Sequence, residues 1–230
     1  MLRVGLTGGL GSGKSTVAAM LRELGAEVSE SDEHGRALME PGTACFSEIV
    51  RVFGPGVVGA DGRLNRARLA EMAFRGGRVQ ELNAIVHPAV IEAQRQWASA
   101  VFARDPAAVA VVVSALIFEV ERDARARGER ENVLADWRRR LDRVVVVTAP
   151  DAQKIARYVA RLGPAVDRAA AEADARARLA VQIPDAVKAA RADYVLENAG
   201  DRATLRRDVQ VLWERLKTES NKLAADGSLK

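Results

Sequence analysis

The residues best suited to chemistry lie close to the N-terminus. Gly8-Gly9-Leu10-Gly11-Ser12-Gly13-Lys14-Ser15 fits the spacing G-x-x-x-x-G-K-[ST], and Thr16 follows it. Glycines at this density let the backbone curl so that successive N–H groups converge on phosphate oxygens. A helix starting at the end of such a loop adds the partial positive charge of its N-terminus. Lys14 supplies a mobile ammonium for the β- and γ-phosphates, and the Ser15 hydroxyl is a ligand type suited to Mg²⁺. The pattern therefore implies a nucleoside triphosphate with Mg²⁺, held by Gly9, Gly11, Ser12, Gly13, Lys14, Ser15 and Thr16. The alternative, a glycine-rich loop with a chance lysine, does not account for the apolar strand before it and the amphipathic helix after it.

Three kinds of protein use this loop, and the rest of the sequence separates them. A GTPase needs D-x-x-G and a base-reading N-K-x-D after a strand, whereas Asn221-Lys222 follows no strand. A motor ATPase ends a central apolar strand in an acidic residue, but here Val109–Val113 runs into Ser114-Ala115. A small-molecule kinase places a carboxylate after its second strand, near the acceptor hydroxyl, and Asp32 has that place. Asp32 at a strand–helix junction also reads as a helix N-cap, and both readings stand at this point.

These groups need a scaffold, and the order of elements supplies one. Leu2–Leu6 reads as a strand, Thr16–Leu24 as a helix with Val17, Met20, Leu21 and Leu24 on one face, and Ala26–Ser29 as a second strand. That is a βαβ unit with a parallel sheet. The sheet resumes at Val109–Val113, Val144–Val147 and Tyr194–Leu196, and continuous β-branched runs suit strands covered on both faces. From Glu33 to Arg104 the pattern is helical, broken at Pro41-Gly42, Gly54-Pro55-Gly56, Asp61-Gly62 and Gly76-Gly77, which reads as a helical sub-domain inserted into the sheet. Glu119–Arg143 and Asp151–Arg191 read as helical, a last helix spans Thr204–Leu216, and the polar tail reads as disordered.

Composition agrees with this class. The 230 residues are 48% hydrophobic and 29% charged, ordinary for a globular protein. One cysteine, Cys45, rules out an internal disulfide and any multi-thiolate metal site, and favours a reduced compartment. The balance of 35 basic against 31 acidic residues gives +4, a mild excess that fits an anionic ligand. Three Trp, two Tyr and five Phe are too few for a surface that reads single strands by stacking, so no nucleic-acid partner is expected. Met1-Leu2-Arg3-Val4 enters structure at once, and the longest apolar stretch, Ala107–Phe118, is too short for a bilayer span. The expectation is a cytoplasmic protein without membrane contact.

Gly5-Leu6-Thr7 followed by the loop through Thr16 resembles the opening of the dephospho-CoA kinase family. Further matches follow in order: Asp32, Arg36 and Glu40-Pro41-Gly42; Asp61-Gly62 with Leu64, Arg66 and Leu69; His87-Pro88; Leu116-Ile117-Phe118-Glu119; Arg178 and Gln182; then Lys188, Ala192-Asp193 and Asn198-x-Gly200. The resemblance covers about residues 1–216. Departures are Glu30 for the first aspartate of a D-x-D, Ala115 for a proline, a long Glu119–Arg143 segment, and one extra residue between Gln153 and Arg157.

The resemblance implies an α/β P-loop kinase with a parallel sheet flanked by helices. Its core would be 1–32, 106–156 and 183–216, with a helical substrate-binding insertion at 33–105, a helical lid at 157–182 and a disordered tail at 217–230. It implies transfer of the γ-phosphoryl of ATP to the ribose 3′-hydroxyl of dephospho-CoA, with a monomer or weak homo-oligomer. Lys14, Asp32, Arg157 and Arg161 would be catalytic, and Ser15 with Asp32 would hold Mg²⁺. Asn198 and Gly200 would serve the nucleotide, while Thr7, Asp32, Arg36, Arg66, His87 and Leu116 would face the acceptor. Plainer readings stand beside these: a solvated basic face for Arg157 and Arg161, surface ion pairs for Arg36 and Arg66, a turn-capping His87, and an Asn-x-Gly turn at 198–200. Two other functions also remain: a kinase of another small acceptor such as a nucleoside monophosphate, and a regulatory module that binds ATP without transferring phosphate.

Overall fold

The computed structural model describes residues 1–227. Strands β1 (Leu2–Thr7), β2 (Glu27–Glu30), β3 (Val109–Val113), β4 (Arg143–Thr148) and β5 (Tyr194–Glu197) form a five-stranded sheet in the order β2-β3-β1-β4-β5. Strand β1 runs parallel to both β3 and β4, and β4 parallel to β5; Leu2 stands opposite Val109, Val4 opposite Arg143 and Val145 opposite Tyr194. The helices are α1 (Lys14–Glu23), α2 (Ser31–Leu38), α3 (Ala44–Phe53), α4 (Arg66–Ala70), α5 (Val79–Arg104), α6 (Ile117–Ala126), α7 (Asp151–Leu162), α8 (Arg168–Val181), α9 (Asp185–Ala189) and α10 (Arg202–Gly227).

The chain divides into two compact units, Met1–Ser29 with Ala98–Lys230, and Glu30–Trp97. In the first, every residue of β3 is buried, as expected of a run covered on both faces. Val17, Met20 and Leu21 of α1 and Leu205, Val209, Leu212 and Leu216 of α10 share one core with Val4, Val111 and Val145 of the sheet. On the Gly5 side of the sheet the close neighbours are Ile117 of α6 and Leu141. Phe118 and Trp137 are buried there too and meet edge to face, with ring centroids 6.2 Å apart. Asp142 accepts from the Arg3 amide and Asp193 from the Val144 amide, each at 2.7 Å, so carboxylates seat the second residues of the neighbouring strands β1 and β4.

The second unit has a core of its own: Cys45, Ile49, Phe53, Val57, Leu64, Leu69 and Ala73. Thr43 caps α3 by accepting from the Phe46 amide, and Asn65 caps α4 by accepting from the Arg68 amide. Helix α4 passes into a π-helical turn, Glu71–Arg75.

Three expectations need correction. The tail expected to be disordered is helical through Gly227, while residues 228–230 lie outside the described residues. Ser220 explains this: it is fully buried, and its hydroxyl donates to the carbonyls of Ala107 and Ala108. The segment 119–143 is helical only through Ala126, after which Gly128 turns at φ +80° and short 3₁₀ turns follow at Val133–Ala135 and Trp137–Arg139. Asn132 and Asp136 cap those turns, so caps win over helix propensity there. The inserted unit spans 30–97, against the expected 33–105.

Candidate active site

The phosphate-binding loop leaves the C-terminal end of β1 and ends in the first turn of α1, the edge of a parallel sheet at which such folds bind ligands. It can close this tightly because a side chain is excluded where the chain turns. Gly11 has φ +72°, and a Cβ there would stand 2.2 Å from the carbonyl oxygen of Lys154. Gly13 has φ +101°, and a Cβ there would stand 2.1 Å from Asn198 Nδ2. Asn198, buried after β5, donates from that nitrogen to the Ser12 carbonyl at 2.8 Å. The Leu10 amide donates to Gln182 Oε1 at 3.0 Å. Lys14 Nζ reaches back to the carbonyls of Gly8 and Gly9 at 2.8 and 2.9 Å.

Several groups of the loop suit a triphosphate with a divalent ion. The Ser12 and Thr7 hydroxyls are buried without a hydrogen-bond partner among the described residues. Ser15 is exposed in the first turn of α1, Thr16 beside it is half-buried, and no acidic residue stands in that turn to repel an anion. Among the described residues no cluster of three or more His, Cys, Asp or Glu could cage a metal. A serine hydroxyl with phosphate oxygens and water is the donor set that Mg²⁺ accepts in such sites, so these residues fit it.

Helices α7 and α8 hold most of the arginines expected to face phosphate. Arg157 donates to Gln153 Oε1 at 3.1 Å and to the Asn198 carbonyl at 2.9 Å, so it braces the loop that carries Asn198. Arg161 and Arg178 lie over the Tyr158 ring, 5.9 and 5.8 Å from its centroid. The Tyr158 hydroxyl donates to Asp174, which lowers the pKa of Asp174 and raises that of the phenol. Thus Arg157 and Arg161, one helical turn apart, take different partners. Gly200 is exposed, and Leu116 is 37% exposed at the cap of α6.

In the second unit, Asp32 is exposed in the first turn of α2, and Glu30 holds the cap position. Asp32 is therefore not the N-cap, which corrects that reading. Arg36 is exposed in the last turn of α2. Glu40 pairs with Arg63 at 2.8 Å and stands 4.0 Å from Arg66. His87 is half-buried inside α5, where Pro88 follows it within the helix.

Two buried ion pairs escaped the sequence reading. Lys188 is fully buried, with Nζ 2.7 Å from Glu119 Oε1 and 3.1 Å from the Ala115 carbonyl. Glu119 Oε1 also accepts from the Ile183 amide at 2.9 Å. Lys154, 3% exposed, sits 2.7 Å from Asp151 and 2.8 Å from Asp185. Burial works to lower its pKa, but the hydrogen bonds to Asp151 and Asp185 outweigh that and leave it raised. Asp151 stands three residues before Lys154 on α7, but Asp185–Lys154 and Glu119–Lys188 join residues far apart in the chain, and no local pattern marks them.

A glycine loop with Lys14 and Ser15 between a parallel strand and its helix makes this a P-loop protein of the α/β class. The model of the dephospho-CoA kinase family matches residues 2–204. The chain belongs to that family. A dephospho-CoA kinase of Geobacillus kaustophilus is 37% identical over 219 residues, covering 94% of this chain and 98% of that one. Another, from Anaeromyxobacter dehalogenans, is 42% identical over 198 residues, covering 86% and 83%. The crystal structure of TT1252 from Thermus thermophilus superposes with a TM-score of 0.70 at 32% identity, covering 94% and 97%. A dephospho-CoA kinase from Campylobacter jejuni shares the fold at a TM-score of 0.53 and 16% identity, covering 93% and 96%.

Proposed function

We propose that the chain transfers the γ-phosphoryl of ATP to the ribose 3′-hydroxyl of dephospho-CoA, giving coenzyme A and ADP. The observation that carries this reading is the complete phosphate-binding loop, with Lys14 and Ser15 at the head of α1, in a chain matched by its family over residues 2–204. The transition state of phosphoryl transfer is loose, so positioning and charge neutralisation provide most of the acceleration. Amides of Gly9–Ser15 would cradle the β- and γ-phosphates. Lys14 would exchange its bonds to the Gly8 and Gly9 carbonyls for phosphate oxygens. Ser15 is proposed to hold Mg²⁺, with Asp32 proposed to contribute through water, and the ion would supply neutralisation of the charge that develops in phosphoryl transfer. Asp32 would orient the acceptor hydroxyl and receive its proton.

Helices α7 and α8, with Arg157, Arg161 and Arg178, would act as the lid that excludes water. Thr7, Arg36, Arg66, His87 and Leu116 are the residues proposed for the acceptor, and Asn198 and Gly200 those proposed for the nucleotide. A cytoplasmic site of action fits the single buried thiol, Cys45. No helix among the described residues is long and apolar enough to cross a membrane. The test is a coupled ADP-release assay with Mg-ATP and dephospho-CoA, AMP, CMP or shikimate. Release should depend on dephospho-CoA. A rate with dephospho-CoA equal to that in buffer would remove the proposal, and a faster rate with AMP or CMP would favour a nucleotide kinase.

A further inference from the structure

The phosphate-binding loop carries two glycines that its motif does not demand, Gly9 and Gly11, and both abut the same residue, Lys154. A Cβ on Gly9 would stand 3.3 Å from Lys154 Nζ and 3.0 Å from Asp185 Oδ1, and one on Gly11 would stand 2.2 Å from the Lys154 carbonyl. Lys154 thus meets the loop with both its backbone and its ammonium. Asp185, half-buried at the start of α9, brings a carboxylate oxygen to within van der Waals reach of a loop whose amides attract anions. Left unpaired, that carboxylate would repel the phosphates the loop exists to hold. Lys154 answers it at 2.8 Å, with Asp151 at 2.7 Å on its other side. These three residues, with Arg176, Leu179 and Gln182, line a cleft of about 600 Å³. Gln182 also holds the Leu10 amide, so this side of the loop is bounded by α7, α8 and the turn before α9.

We infer that Lys154 is a positioning residue for the nucleotide: it neutralises Asp185 beside Gly9 and braces the Gly9–Gly11 segment in its phosphate-accepting form. The inference rests on the reading of the loop as an ATP site. Lys154 touches no reacting atom, so its loss weakens nucleotide binding and leaves the chemical step intact.

The experiment is calorimetric titration with ADP of the wild-type protein, Lys154→Met, Asp185→Asn and the double variant, with the melting temperature of each measured without nucleotide. Lys154→Met should bind ADP at least about tenfold more weakly, the factor expected when a charge is left uncompensated near a phosphate. Adding Asp185→Asn should restore most of that affinity, because the uncovered carboxylate is gone. The KM for ATP should rise with kcat changed by less than about twofold. A merely structural bridge would lower the melting temperature, and removing its second partner would not restore binding. Lys154→Met within twofold of wild type, or a double variant no better than Lys154→Met, overturns the inference. If Lys154→Met does not fold, Asp185→Asn alone decides: removing a negative charge beside the loop should tighten ADP binding, and weaker binding overturns the inference. A wild-type protein that binds no ADP overturns the reading of the loop itself, which distinguishes the two failures.

Discussion

Substituting Lys188→Met offers a direct measure of what the buried pair with Glu119 contributes. Lys188 has no exposed surface and Glu119 is 3% exposed, so neither charge has water to fall back on. Methionine fills a similar volume, which limits any cavity cost. It removes the partner 2.7 Å from Glu119 Oε1 and leaves that carboxylate buried, with Oε2 already lacking a hydrogen-bond partner among the described residues. Breaking such a pair from one side costs about 3–5 kcal/mol. With total stability of roughly 5–15 kcal/mol for a typical domain, that is a large share of the whole. In a protein of this size it corresponds to a fall in Tm of about 6–20 °C. Adding Glu119→Gln should recover at least about 2 kcal/mol, because glutamine removes the stranded charge yet keeps a carbonyl acceptor for the Ile183 amide. The assay is urea denaturation followed by tryptophan fluorescence, since Trp137 packs edge to face on Phe118, next to Glu119. A loss below about 1 kcal/mol for Lys188→Met, or a double variant no more stable than the single one, would refute this account of the pair.

Further outcomes follow from the same geometry. Asp32→Asn should lower kcat by roughly a hundredfold or more while ADP affinity stays within about twofold, and an unchanged turnover would remove Asp32 as the acceptor of the proton. Gly13→Ala places a Cβ at φ +101° and 2.1 Å from Asn198 Nδ2, so it should cost about 1–3 kcal/mol in urea denaturation and abolish ADP binding. Both phenols should ionise late in a native absorbance titration and near pH 10 after unfolding. Tyr158 is raised chiefly by its hydrogen bond to Asp174, Tyr194 by burial and then by Glu219. A raised native value gives stability that is complete below the unfolded phenol's pKa and is lost as pH climbs through the native one, so alkaline unfolding should begin there.

The parts of this molecule that were legible in its sequence are those made by neighbours in the chain. The loop from Gly8 to Ser15 announces itself because its conformation, its helix and its ligand chemistry are all local. The runs Val109–Val113 and Val144–Val147 announce themselves because strands covered on both faces need no alternation. What stayed hidden depends on partners far apart. The polar face of Thr218–Gly227 has the composition of a frayed tail, yet Ser220 is held by Ala107 and Ala108, and Glu219 accepts from Tyr194 and pairs with Arg143. The burial of Lys154 and Lys188 depends on Asp185 and Glu119, 31 and 69 positions away, which no local pattern brings beside them. Arg157 was readable as a charge on a helix face, but its engagement with the Asn198 carbonyl was not.

The position of the second unit in the chain also bears on how the protein is made. Strand β1 leaves the ribosome before its sheet partners, β3 and β4, which begin only at Val109 and Arg143. Until they emerge, the β1 edge and the glycine loop after it have nothing to close against. Residues 30–97 come out in that interval with their own core around Ile49, Phe53 and Val57. Once that unit has condensed, the ends of a long stretch are held by a compact body, and the entropic cost of bringing β3 to β1 falls. The insertion therefore doubles as a spacer during synthesis, and the nucleotide loop acquires its shape late, after the last strands and Asn198 have been delivered.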